Sequence, residues 1–220
     1  MDYRQIGEEV ATKVLSYIQE DISEWKVERI TKNIKVWSKP SEDFEGMLYR
    51  AEALVETPPD KLFPFLYLPE HRSKWDKAVQ SYRNVETIDK DTFIIHVITH
   101  SYGFGMVSPR DFVSVVHIKK YDGDLMTSNS VGVNHPSCPS CPKYVRGNNY
   151  PSGYACSPFP GNPQHTKFVA ILQVDLGGLL LPSLISSVLP TTLVNFITDC
   201  KAGLRLRARR RSVPLKPTSV

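Results

Sequence analysis

The sequence predicts an α+β fold in which a curved antiparallel sheet of about nine strands surrounds a long C-terminal helix. Apolar residues recur at helical spacing near the start of the chain and again after Pro182. Between these segments lie short runs of alternating apolar and polar residues, separated by turn residues, which is typical of strands. A block of strands between two helices favours an α+β architecture. The 220 residues, 41% of them apolar, can bury one core.

The first elements are predicted to be one amphipathic helix, three strands and two short helices. Apolar side chains repeat every three or four positions over residues 3–22, so this segment is expected to pack by one face. Alternation with a period of two then predicts strands at 25–30, 34–39 and 47–56. Short helices broken at Pro64 and Pro69 are expected to follow, because proline lacks a backbone donor.

The second half of the chain predicts an antiparallel meander and then the closing helix. Two short turns, DKD and DGD, join neighbouring strand patterns. The strands are expected at 81–88, 92–99, 112–121, 125–133, 144–147, 153–158 and 167–176. After Pro182 the apolar face is unusually wide for a helix, and a bend is expected near Pro190.

Charge is unevenly distributed along the chain. Residues 201–220 hold seven Lys or Arg and no Asp or Glu, whereas residues 1–200 hold twenty basic and twenty-three acidic residues. We therefore expect a domain over residues 1–204 and a basic, disordered tail over 205–220. The tail could bind an anionic membrane, direct nuclear import or contact nucleic acid, or it could be solvated without a partner. Nucleic acid is disfavoured because no aromatic residues are interleaved with the basic ones.

Four scattered cysteines and the lack of an apolar segment at the N-terminus predict a reducing, cytoplasmic setting. Nuclear entry is the alternative if the basic tail acts as an import signal. One segment, 176–198, has no charged residue and is long enough to cross a bilayer. Its Gly177, Gly178, Pro182 and Pro190 argue against a membrane helix.

Five strings occur in an order that resembles the START family, the lipid-transfer domains related to steroidogenic acute regulatory protein. They are HRSKWDKAV at 71–79, DTFIIHVIT at 91–99, SPRDFVSVVHIKKY at 108–121, YVRGNNYPSGYACSP at 144–158 and DLGGLLLPSLI at 175–185. The resemblance spans about residues 3–204 and is greatest to the small stand-alone members without membrane anchors. It implies a helix-grip fold, with a hydrophobic tunnel between the sheet and the C-terminal helix that holds one lipid, a sterol or a similar molecule.

The resemblance also implies a gate formed by the 100–108 loop and the helix that starts at Pro182. The residues alone indicate the same two segments, since HSYGFGM is too apolar for an ordinary solvated loop and the helix has more apolar surface than one face needs. The expected gate side chains are His100, Tyr102, Phe104 and Met106.

Alternation in two strands and the apolar face of the helix predict which side chains line the tunnel. They are Ile95, Val97, Thr99, Ser114, Val116, Ile118, Leu189, Leu193, Phe196 and Ile197. Similarity to the family at single residues places only Val97, Val116 and Phe196. At Val97 and Val116 the sterol-carrying founder of the family has a buried acid and an arginine. The polar end of a ligand would therefore need Thr99, Ser114 or water instead.

Two pairs of polar or aromatic residues have both a functional and a structural interpretation. Arg110 and Asp111 would either recognise a lipid head group or form a salt bridge and bind backbone at the start of a strand. Trp75 is expected to pack a short helix on the sheet, and Asp76 is expected to cap or pair.

One segment of the chain brings two cysteines and a histidine close together in the sequence. Cys138 and Cys141, with His135 nearby, have a spacing like that of zinc ligands, but no second pair follows. We expect no metal and no other cofactor. Alternation places His96 and His117 on the face of the sheet opposite the tunnel.

The sequence thus predicts a lipid carrier without enzymatic activity that acts as a monomer, touches membrane surfaces transiently and does not bind nucleic acid. Two other classes of protein stay open. An enzyme acting on a bound hydrophobic molecule would need a general acid or base in the tunnel, and the predicted lining offers none. A nuclear interaction module would use the lipid as a regulatory ligand and the tail as a localisation signal.

Overall fold

The computed structural model describes the backbone of residues 1–212 and the side chains of residues 1–209. Its α-helices are α1 (Tyr3–Gln19), α2 (Pro59–Tyr67), α3 (Pro69–Trp75) and α4 (Pro182–Ser212). Asp2 caps α1, because its Oδ1 accepts hydrogen bonds from the backbone amides of Arg4 and Gln5 at 3.1 Å each. Within this part of the chain, no helix is apolar over a length that would cross a bilayer.

The strands of the described residues alternate with turns along most of the chain, as predicted. They are β1 (Lys26–Ile30), β2 (Ile34–Pro40), β3 (Met47–Val55), β4 (Val79–Thr87), β5 (Thr92–Thr99), β6 (Arg110–Lys120), β7 (Met126–Gly132), β8 (Val145–Arg146), β9 (Asn148–Asn149), β10 (Ser152–Phe159), β11 (Asn162–Leu172) and β12 (Val174–Asp175).

Nine of these strands form one antiparallel sheet in the order β1-β2-β3-β11-β10-β7-β6-β5-β4. The short β8 joins β6 in parallel, and β9 pairs with β12 in a separate two-stranded sheet. The predicted α+β class, with a sheet of about nine strands and a long C-terminal helix, is confirmed.

Pro64 does not break the chain into separate helices, which corrects one prediction. It lies inside α2, and the helical turn continues past it, since the amide of Leu68 donates to the carbonyl of Pro64 at 3.1 Å. The break occurs only at Pro69, which opens α3. The first position of a helix tolerates proline, because the amide there has no partner within the helix.

The basic segment is a second correction. Helix α4 runs through Ser212, so residues 205–212 are helical instead of disordered. Leu, Arg and Ala in this segment are good helix formers, and no proline occurs before Pro214. The predicted disorder of residues 213–220 lies outside the described residues.

Helix α1 covers the outer face of the sheet. Gly7 permits close approach, because a Cβ at this position would lie 2.7 Å from the Cβ of His117. His117 is buried beneath α1 and its Nδ1 lies 2.9 Å from the Thr92 hydroxyl. Burial lowers the pKa of His117. His117 and His96 therefore lie on the outer face as predicted, and His96 pairs there with Asp111.

The inner face of the sheet packs against α2, α3 and α4. Aromatic side chains dominate this contact: Phe168 and Tyr154 from the sheet stack with Phe196 of α4. The ring of Trp75 stacks on Phe65 of α2 and meets Phe196 at its edge, so Trp75 joins α3 to the two other helices. The main hydrophobic core lies between this face and the helices.

Candidate functional site

A cavity of about 490 Å³ lies between the inner face of the sheet and helices α3 and α4. Its walls come from β4 to β7, from β9, from the β10 to β12 region and from the helices. This volume falls in the range of sites that enclose small organic ligands. The space exists because the side chains that the sheet and α4 present to each other do not fill the gap between them.

Seven of the ten side chains predicted to line a tunnel border this cavity. They are Ile95, Val97, Thr99, Val116, Leu189, Leu193 and Phe196. The strand alternation and the helix face thus identify the correct surfaces of β5, β6 and α4.

The other three predicted lining residues are buried elsewhere. Ser114 is covered by Asn149, whose Nδ2 donates to the Ser114 Oγ at 2.9 Å and which borders the cavity itself. Ile118 packs in the main core further along β6. Ile197 follows Phe196 by one residue, which turns it about 100° around the helix. It packs in a narrow gap against Leu62 of α2.

The predicted gate loop is closed on itself by two backbone hydrogen bonds between Tyr102 and Val107, each 3.0 Å long. Only Tyr102 among the predicted gate residues borders the cavity. His100, Phe104 and Met106 point outward, and Phe104 is fully exposed. Gly103 brings the loop against α4, because a Cβ there would lie 3.0 Å from a Val188 methyl.

An ion pair whose cation the sequence did not identify borders the cavity. The Nε of Arg72 donates to the Oδ2 of Asp76 at 2.8 Å, and its Nη1 donates to the Tyr154 hydroxyl at 3.3 Å. The same carboxylate accepts from the amide of Ala78 at 3.1 Å, so the expected capping or pairing role of Asp76 is confirmed. The one signal for this pair in the sequence is the spacing of four residues between Arg72 and Asp76 at the end of a predicted short helix.

Aromatic rings surround the Arg72 guanidinium. Its central carbon lies 4.7 Å from the ring centroid of Phe196, 5.1 Å from that of Tyr82 and 5.6 Å from that of Tyr154. Desolvation opposes the charged form of Arg72, but Tyr154 and Asp76 outweigh it and raise the pKa above its usual range. Arg72 therefore stays charged inside the protein.

The predicted lining offered no general acid or base, but the cavity wall contains charged side chains. Arg72 and Asp76 border the cavity, and so do Lys77 and Asp199. These four groups form two ion pairs, since Lys77 Nζ lies 3.4 Å from Asp199 Oδ1.

The polar groups expected to replace the ion pair of the family founder are already engaged. Thr99 Oγ1 accepts from the amide of Arg110 at 3.0 Å, and Ser114 Oγ accepts from Asn149. Val97 pairs with Phe112 across the sheet, so Val97 and Val116 are not directly opposite each other.

Arg110 and Asp111 have the structural roles that were one of their two interpretations. Arg110 Nε donates to the carbonyl of Leu176 at 2.9 Å, which ties β6 to the segment before α4. Asp111 accepts two hydrogen bonds from Arg146, at 2.9 and 2.8 Å. Desolvation opposes the carboxylate, but Arg146 and His96 outweigh it and lower the pKa of Asp111.

The Cys138 to Cys141 segment lies apart from the cavity. Cys138 is buried and Cys141 is exposed. His135 Nε2 lies 2.7 Å from a carboxylate oxygen of Glu86. This contact engages the Nε2 of His135.

Comparison with known proteins places this fold and cavity in a family. A model of the START domain matches residues 5–210. StAR-related lipid transfer protein 6 from Homo sapiens is 43% identical over 205 residues, which cover 93% of each chain. StAR-related lipid transfer protein 5 from Mus musculus is 36% identical over 203 residues, 91% of this chain and 95% of the relative.

A solved structure supports the same assignment. That of human StAR-related lipid transfer protein 5 superimposes with a TM-score of 0.89 at 32% identity and covers 94% of this chain and 98% of its own. The resemblance read from the five strings is confirmed, and the chain belongs to the START domain family.

Proposed function

We propose that the protein binds one lipid molecule, a sterol or a hydrophobic lipid of similar size, in the 490 Å³ cavity and exchanges it between membranes. The observation that carries this proposal is the cavity itself, lined by apolar side chains from β5, β6 and α4. The names of the relatives, which are lipid transfer proteins, support it. The protein would act as a soluble carrier in the cytoplasm.

The energetics favour exchange over permanent capture. Removing about 400 Å² of apolar lipid surface from water is worth roughly 10 kcal/mol at about 25 cal/mol per Å². A bilayer offers the lipid nearly the same gain, so transfer in either direction costs little free energy. The barrier then lies in opening the protein.

A carrier leaves its ligand chemically unchanged, and the pairing of the ionisable groups supports this role. Arg72 forms an ion pair with Asp76, and Lys77 forms one with Asp199. A carboxylate in an ion pair is a poor general base, because its oxygens are already engaged by the cation. We therefore favour transport over catalysis.

The gate would be the 100–108 loop together with the start of α4. Four exposed apolar side chains lie on this loop and on the segment that leads into α4: Phe104, Met106, Leu179 and Leu181. We call this group the apolar tip. Exposed apolar side chains of this kind gain free energy by entering a membrane surface. Insertion of the apolar tip would draw the loop away from α4 and open the cavity.

The basic end of α4 would act separately from the apolar tip. Arg205 and Arg209 lie about 35 and 40 Å along the helix from Pro182, at 1.5 Å per residue. Attraction of these cations to anionic lipids would raise the local concentration of the protein at a membrane, in a manner that salt weakens.

The test is a double substitution in the apolar tip, Phe104→Ser with Leu179→Ser. We expect lipid transfer between neutral vesicles to slow about tenfold or more, because two exposed apolar side chains no longer enter the membrane. The amount of lipid held at equilibrium should not change, since neither side chain borders the cavity. Transfer is measured as the rate at which a fluorescent sterol moves from donor to acceptor vesicles.

The matched control is Leu206→Ser, which removes an exposed leucine at the far end of α4. This variant should transfer lipid at the rate of the unmodified protein. Equal rates for the tip variant and the control would contradict the assignment of the gate.

A further inference from the structure

Three hydroxyl groups at the cavity have no hydrogen bond within the described residues. Thr99, Tyr154 and Thr192 are excluded, because the hydroxyl of each is already bonded to a neighbouring group. Ser130 contacts the Ser152 carbonyl at 3.5 Å. The remaining hydroxyls belong to Tyr82, Tyr102 and Ser128. A hydroxyl at the cavity wall without a partner in the protein can bind a polar group of the ligand, so each of these is a candidate.

Tyr82 is the most firmly held of the three. It lies on β4, directly across from Val97 on β5, and is 8% exposed. Its ring packs 5.1 Å from the Arg72 guanidinium, and Arg72 is itself fixed by Asp76 and Tyr154. The phenol of Tyr82 therefore reaches the cavity from a position that needs little reordering when a ligand binds.

The other two hydroxyls are less suited to this role. Tyr102 belongs to the loop proposed to move during opening and is only partly buried. Ser128 is short and lies between its partners Ile118 and Tyr154 across the sheet, so a bulky ligand has less access to it.

The charges around Tyr82 determine what kind of polar group can bind at this part of the cavity. Burial raises the pKa of Tyr82, so the phenol stays protonated and can donate a hydrogen bond. Asp76 already balances the charge of Arg72. A phosphate placed here would bring buried negative charge without a free cation to oppose it.

We propose that the Tyr82 hydroxyl is the hydrogen-bond partner of the polar end of the ligand, and that this end is an uncharged oxygen, a hydroxyl or a carbonyl, instead of a phosphate. The inference rests on the proposed function, because it concerns the ligand of the same cavity. It assigns specificity to one side chain and limits the substrate class to neutral oxygenated lipids.

The test pairs the removal of one hydroxyl from the protein with the removal of one from the ligand. Tyr82→Phe keeps the ring that packs on Arg72 and removes only the hydroxyl. Uptake from neutral vesicles is measured for cholesterol and for cholestene, which lacks the 3-hydroxyl. We expect Tyr82→Phe to weaken cholesterol uptake about three- to tenfold, the effect of one hydrogen bond, and to leave cholestene uptake unchanged.

The matched control is Tyr121→Phe, which removes a buried hydroxyl that has no hydrogen-bond partner among the described residues and does not border the cavity. This variant should change neither uptake. Tyr102→Phe and Ser128→Ala test the two rival hydroxyls. The proposal is overturned if Tyr82→Phe affects both ligands equally or neither of them, or if Tyr102→Phe or Ser128→Ala shows the selective loss for cholesterol instead. Thermal unfolding of each variant checks that the fold is retained.

Measurements on the unmodified protein distinguish a failure of this inference from a failure of the proposed function. If it extracts phospholipid from the vesicles in preference to sterol, measured as phosphorus bound to the recovered protein, the uncharged-oxygen assignment is wrong while lipid transfer stands. If it takes up neither sterol nor phospholipid, both proposals fail.

Discussion

Replacing Val116 with arginine is expected to lower lipid uptake roughly a hundredfold. Val116 borders the cavity from the middle of β6 and is buried. An arginine there would place a long cationic side chain in the space that the ligand needs, without a carboxylate directly opposite, since Val116 pairs with Phe93 and Ser130. A penalty of about 3 kcal/mol for burying an unpaired charge corresponds to this loss. Uptake of a fluorescent sterol from vesicles measures it.

Two further substitutions separate a blocked cavity from a damaged fold. Val27→Arg makes the same chemical change on the exposed edge strand β1 and should leave uptake unaltered. Val116→Ile adds one methylene without charge and should change lipid uptake little. Normal uptake by the Val116→Arg protein, with cooperative unfolding retained, would remove β6 from the ligand site.

Removing the Arg72 side chain is expected to produce the largest loss of stability, about 3–5 kcal/mol for Arg72→Met. Asp76 would then be left as a buried carboxylate without its cation, its side chain being 3% exposed. Aromatic contacts to Phe196, Tyr82 and Tyr154 would be lost as well. The free energy of unfolding in urea measures the effect.

A double variant and an exposed arginine provide the comparison. Arg72→Met with Asp76→Leu removes both charges, so it should be more stable than Arg72→Met alone. Arg83→Met removes an exposed arginine that reaches only His96 and the Cys138 sulfur, and it should cost less than 1 kcal/mol. A loss below 1 kcal/mol for Arg72→Met would show that Asp76 does not depend on its partner.

Local patterns were sufficient for most of the elements and for seven side chains of the cavity lining. The alternation in 92–99 placed Ile95 and Thr99 on the inner face, and both side chains border the cavity. Alternation assigns a face, but it does not say how far along a strand a cavity extends. Ile118 lies on the correct face and is nevertheless packed in the core.

Arg72 and the aromatic rings around it could not be predicted to meet in the same way, because these residues come from four separate elements. Arg72 belongs to α3, Tyr82 to β4, Tyr154 to β10 and Phe196 to α4. Only the folded chain brings these residues together. Helix α4 was predicted only in part. Its wide apolar face was evident from the sequence. At its C-terminal end, basic composition suggested disorder, whereas good helix formers continue the helix there.

The most direct test of a lipid-carrying cavity is native mass spectrometry of the intact protein, purified from cells without detergent. We expect a mass that exceeds that of the chain by one lipid molecule with an uncharged polar end, and we expect the Val116→Arg protein to lack this addition. A bare chain mass, both as purified and after incubation with sterol-containing vesicles, would contradict it.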